Sequence, residues 1–172
     1  KKDAITSEYT QYFTKEISNK NTILDISQDA SGDLWISTQY SGLFKLNIET
    51  LLLDNYNATS PSKSNIIDND ITSLLIDSTG VLWLGTWTDG VNKIDLDKFQ
   101  FKKYLNQSSN SDKLRYQILG INKDSNDKLW LAAWDNGLIE YSIETNELTN
   151  HSIQENNDLV VRNIYIDEND DL

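Results

Sequence analysis

Cysteine is absent from the chain, which excludes disulfides, thiolate metal sites and a cysteine nucleophile. There is one histidine, His151, and there are two arginines, Arg115 and Arg162. That is too few for a histidine-based active site or a multi-arginine anion clamp. Methionine is missing, even at residue 1, so the chain is expected to be an excised or processed segment. No run of about 18 apolar residues occurs, so nothing reads as a membrane-crossing helix, and no apolar leader lies near residue 1. Basic residues are scarce: 15 Lys plus Arg stand against 27 Asp plus Glu, a net charge of −12 at pH 7. This balance disfavours a nucleic acid backbone or an anionic membrane surface as a partner. With one Pro and seven Gly in 172 residues, each Gly is expected to meet a specific backbone need.

What the chain does hold is aromatic and periodic. Five Trp, eight Tyr and four Phe are too many for a disordered acidic tail. Trp35, Trp83 and Trp130 recur at spacings of 48 and 47, the signature of a repeat architecture. An Asp stands six residues before each (Asp29, Asp77, Asp124) and a Gly seven residues after (Gly42, Gly90, Gly137). Apolar pairs lead into each Asp: Ile23 and Ile26, Ile71 and Leu74, Ile118 and Ile121. A fourth copy begins with Val161, Ile164 and Asp167 and stops one residue before the expected Trp. Tyr9 and Tyr12 match Leu53 and Tyr56 of the first copy, as the tail of a preceding one would.

Each copy reads as four short strands. In the second, Ile71 to Ile76 is a nearly continuous apolar run suited to a strand buried on both faces. Asp77 to Gly80 is a turn, since Asp bonds its own backbone and Gly accepts positive φ. Val81 to Thr86 is a second strand, Trp87 to Gly90 a loop, and Val91 to Leu96 an alternating third strand. A turn over residues 97–99 leads to an outer strand from Phe101 to Leu105. Four strands in about 47 residues without helical periodicity form a meander, and meanders at this period are propeller blades. The expected architecture is all-β: a β-propeller fragment with three complete four-stranded blades plus partial blades at both ends. Residues 20–57, 67–105 and 114–153 are the blades, 1–14 the outer strand of a preceding one, and 158–172 the start of a further one. Trp35, Trp83 and Trp130 are expected to form the core between blades. Burying each removes roughly 150–250 Å² from water, an upper bound of about 4–6 kcal/mol.

The second copy, with Ile71, Leu74, Asp77, Gly80, Leu82, Trp83, Gly85, Thr86 and Gly90, resembles the two-component regulator propeller repeat. The first copy has Ser37 for the Gly after the Trp, and the third has Asp127, Ala132 and Ala133 where Gly, Gly and Thr belong. The resemblance implies the extracytoplasmic sensor region of a hybrid two-component system, common in gut Bacteroidetes. It also implies a periplasmic location and a response to oligosaccharides.

Blade topology says where a ligand sits. The loop between second and third strands shares an end of the blade with the loop leading into the inner strand. These loops read Gln39-Tyr40-Ser-Gly, Trp87-Thr-Asp89-Gly and Trp134-Asp135-Asn136-Gly. Trp faces beside carboxylates and amides suit a sugar, whose C–H face stacks while its hydroxyls need hydrogen bonds. The plainer alternative is that Trp87 and Trp134 cap the blade top. Arg115 and Arg162, beside and within inner strands, could hold an acidic or uronic group or bridge to an Asp of the next blade. The acidic turns 124–127 and 167–171 lack the spacing of a calcium loop and read as capped hairpins, so no metal and no cofactor is expected. No catalytic residue stands out: His151 takes the outer-strand place of Tyr56 and Tyr104.

Three blades cannot close a ring of about four to eight. Residues 3–13 of one copy are expected to complete the blade that 159–172 of another begins, a self-associating strand exchange. The leading expectation is a non-enzymatic, oligosaccharide-sensing propeller segment that contacts neither nucleic acid nor membrane. The alternatives are a dimerisation or protein-interaction scaffold, and a propeller lyase or glycosidase.

Overall fold

A computed structural model describes residues 21–59, 66, 68–96, 98, 100–104, 116–151 and 160–172. Among the described residues there are twelve strands and no helix. The first sheet is β1 (Ile23–Gln28), β2 (Leu34–Thr38), β3 (Leu43–Leu46) and β4 (Leu53–Tyr56). The second is β5 (Ile71–Ile76), β6 (Val81–Thr86), β7 (Val91–Asp95) and β8 (Gln100–Tyr104). The third is β9 (Ile118–Lys123), β10 (Lys128–Ala133), β11 (Gly137–Ser142) and β12 (Leu148–His151). Each is a four-stranded antiparallel meander in chain order. The fold is the all-β propeller arrangement expected from the repeat.

The core lies between blades. Trp35 and Leu43 of the first sheet pack with Ile71, Leu74, Leu82 and Ile94 of the second. Trp83 and Val91 of the second pack with Ile118, Ile121, Leu129 and Ile139 of the third. Alternation along a strand puts neighbours on opposite faces, so Ile36 and Phe44 fall in a separate cluster on the first sheet's other face. Trp35 and Trp83 are each 1% exposed. Trp130, on the last complete sheet, is half-buried, because only one segment of a fourth unit follows it among the described residues.

That segment, 160–172, lies beside β9: a Cβ on Gly120 would stand 2.9 Å from the Cα of Asn163. Its turn repeats the others, Asp167 Oδ1 accepting the Asn169 and Asp171 amides at 2.8 and 3.0 Å. Residues 161–166 form no strand pair among the described residues. Asp170 ties this turn to the third blade, its carboxylate accepting from the Ser125 amide at 3.0 Å and from the Ser125 hydroxyl. Residues 1–14, expected as an outer strand, lie outside the described residues.

Candidate ligand site at one end of the blades

One device brings the candidate loops together. The backbone amides of Gln39, Trp87 and Trp134 donate to the carbonyls of Thr22, Asp70 and Gln117, each at 3.0 Å. Every second-to-third loop is therefore pinned to the segment leading into its own inner strand. In the first two blades the loop is closed further by Thr38 and Thr86, whose hydroxyls donate to the carbonyls of Gly42 and Gly90 at 2.8 and 3.0 Å. Ala133 takes that place in the third blade and cannot do so.

At this end the side chains of Trp87, Trp134 and Arg162 line up across adjacent units. The indoles of Trp87 and Trp134 have centroids 5.8 Å apart, tilted by 59°. The Arg162 guanidinium carbon lies 5.4 Å from the centroid of Trp134. Asp89 is held locally: its amide donates to the Thr86 hydroxyl at 3.1 Å and its carboxylate accepts from Thr88 at 3.2 Å. Asp135 is exposed and Asn136 half-buried. Tyr40, 60% exposed, is not part of this row; with Phe44, Leu53 and Asn55 it lines a separate cavity of 450 Å³. Gln39 joins through its backbone. Arg115 lies outside the described residues.

Asp68 and Asp70, two of 27 acidic residues, also belong to this end of the blades. Asp68 Oδ2 accepts from the amide and hydroxyl of Thr88 at 3.0 and 2.8 Å, fixing the Trp87 loop. Its Oδ1 accepts the Asp70 amide at 3.0 Å. Burial, with the Asp68 charge beside it, pushes the Asp70 carboxyl up to about 6. Their only sequence signal was an Asp-Asn-Asp run directly ahead of an inner strand.

Beneath the row, the inner strands enclose a cavity of 300 Å³. Two rings of equivalent positions line it: Leu24, Thr72, Leu119 and Arg162, then Asp25, Ser73, Gly120 and Asn163. Two bonds cross between blades here. Asp25 accepts the Leu74 amide at 2.8 Å, and the Thr72 hydroxyl donates to the Ile118 carbonyl.

The two-component regulator propeller family profile matches residues 17–40 and 65–88. These two stretches, one leading into each of the first two blades' second-to-third loops, are similar to two-component regulator propeller repeats. Among solved structures, the extracellular domain of BT3049 of B. thetaiotaomicron, named a hybrid two component system, is 24% identical with a TM-score of 0.74, over 94% of this chain and 22% of that one. The extracellular domain of BT4673 of the same organism, named likewise, is 15% identical with a TM-score of 0.66, over 84% and 18%. Virginiamycin B lyase from Staphylococcus aureus is 16% identical with a TM-score of 0.68, over 90% and 48%. At these identities the likeness is one of fold, and the chain spans about a fifth of the first two proteins. No curated protein sequence matches the chain. Among the described residues no helix is long and apolar enough to cross a membrane, and no group of three or more His, Cys, Asp or Glu could hold a metal ion.

Proposed function

We propose that this chain is a non-catalytic, ligand-sensing segment of a β-propeller from the extracytoplasmic, periplasmic part of a hybrid two-component sensor, and that oligosaccharides are its ligands. The observation that carries this reading is the Trp87–Trp134 pair, two indoles 5.8 Å apart on neighbouring blades beside carboxylate and amide groups. Aromatic faces flanked by polar groups suit a sugar ring, which is apolar on its C–H face and hydroxylated at its edge. The repeat family and the extracellular propellers it resembles in fold support the sensor context. A ligand signals only by binding one arrangement of the receptor better than another.

The test is binding of a glycan panel to the wild type and to Trp87→Ala and Trp134→Ala. Both variants are expected to keep their circular dichroism and thermal transition while losing glycan binding. Undiminished binding in both would remove the site. Catalytic turnover of any bound glycan would favour the enzyme reading instead.

A further inference from the structure

We infer that the ligand of this end of the propeller carries an acidic group, a carboxylate or sulfate, and that Arg162 is the residue that holds it. The inference rests on the ligand-site reading above and adds to it the chemical class of the ligand.

Three observations lead to Arg162. First, the ion pairs of the described residues are made by Lys45, Lys98, Lys123, Lys128 and His151. Arg162 joins none of them, although it sits in a chain of net charge −12. Second, its guanidinium lies over the ring of Trp134, which in turn meets Trp87. A guanidinium resting on an aromatic face keeps its in-plane N–H edges available, and those edges match the planar oxygens of a carboxylate or sulfate two at a time. Third, the position is charged in one unit of four: its equivalents are Leu24, Thr72 and Leu119. Residues that the blade requires, such as the Asp and Trp of each repeat, recur. The loop tryptophans recur in the second and third blades, with Gln39 in their place in the first, whereas Arg162 has no charged equivalent in any unit. A lone departure from the repeat set beside that tryptophan pair is better explained by a ligand than by the fold.

The surroundings set the limits. Arg162 also lines the 300 Å³ cavity between the inner strands, the low end of the ~300–1,000 Å³ typical of ligand pockets. Asp25 across this cavity already accepts the Leu74 and Ile26 amides, and Asp68 is engaged by Thr88. These carboxylates, with Asp70 and the exposed Asp135, repel a second negative charge. The site therefore suits a sugar bearing one acidic group near Arg162, with neutral hydroxylated rings elsewhere.

The experiment measures binding of uronic and sulfated di- to tetrasaccharides beside their neutral counterparts, by isothermal titration calorimetry at low and high salt. The proteins are the wild type, Arg162→Gln and Arg162→Lys. The wild type is expected to prefer an acidic glycan over its neutral match by roughly ten-fold or more, as a charge-assisted hydrogen bond warrants, and to lose that preference as salt rises. Arg162→Gln should abolish the preference for the acidic glycan over its neutral match, and Arg162→Lys should retain part of it. The uronic and sulfated arms tell the two sources of acid apart. Equal binding of acidic and neutral glycans, unchanged in Arg162→Gln, would overturn the acidic class and leave the ligand site standing. Binding of neither kind to the wild type would overturn both.

Discussion

Each aspartate six residues before a core tryptophan divides its two oxygens between two tasks. Oδ1 of Asp29, Asp77 and Asp124 accepts backbone amides of the turn it opens. Oδ2 accepts the indole N–H of Trp35, Trp83 or Trp130 at 2.9, 3.0 and 3.0 Å. Each indole, fully buried in Trp35 and Trp83 and half-buried in Trp130, thus keeps its one donor satisfied, and turn and core are locked to each other. Burial pushes the Asp77 carboxyl up, but hydrogen bonds from Thr79, Trp83 and Val81 outweigh it and hold it at about 2. Asp70 is displaced the other way, to about 6. The two linkages have opposite signs. Asp77 contributes stability above the ordinary carboxylate range, lost as pH falls through about 2. Asp70 contributes stability when protonated, present at low pH and lost as pH rises through about 6. Asp77→Asn should therefore lower stability at pH 7 by about 2 kcal/mol, and Asp70→Asn should raise it at pH 8 by about 1–2 kcal/mol with no gain below pH 4. Urea titrations at three pH values read both; shifts of the same sign in the two variants would refute the assignment.

At the scale of the strand, the inner and second strands meet through small residues. The facing pairs are Asp25 with Ser37, Ser73 with Gly85, and Gly120 with Ala132. The reason lies in the next blade, whose inner strand crosses close by: a Cβ on Gly85 would collide with the Ser73 hydroxyl and stand 2.8 Å from Ile118 Cγ2. Gly85→Ala is expected to cost about 1–3 kcal/mol by overpacking, with Ser73→Gly in the same chain recovering part of it. Denaturant midpoints for the single and double variants give the coupling. An unaltered midpoint for Gly85→Ala would mean that the blades are not packed this tightly. The third copy shows how the repeat tolerates change. Asp127, where the motif has Gly80, takes φ 62°, a conformation Asp reaches more readily than most residues. Its carboxylate then meets Lys123 at 2.6 Å, and Lys123 also reaches Asp77 of the preceding blade at 3.2 Å.

Across the whole molecule, successive blades share cores while the described fourth unit offers a lone segment. Tyr165 there is 78% exposed, and on the inner strand of the first blade Ile23 and Ile26 are 45% and 52% exposed. Apolar surface and unpaired strand edges of this kind favour association. Under the proposed strand exchange, two copies form a closed ring. Multi-angle light scattering on the isolated chain is expected to give a dimer. A folded monomer of about 20 kDa would count against it.

The period of the tryptophans, the aspartate and glycine at constant offsets and the alternation of apolar residues made the strands of the second blade legible. The third strand ends at Asp95 where Leu96 was expected, and the outer strand runs from Gln100 to Tyr104, a shift of one residue. Alternation does not set strand ends, and the hairpin pairing of Asp95 with Gln100 does. The candidate loops were also legible, because a loop's place on a blade follows from strand order. Which of their side chains meet was not. Trp87, Trp134 and Arg162 lie 47 and 28 residues apart in the chain and become neighbours only because three units pack side by side, while Tyr40, on an equivalent loop, is carried to another cavity. The second task of each Asp, the displaced titration of Asp70 and the demand for glycine at 85 likewise arise from contacts and burial that short-range pattern does not encode.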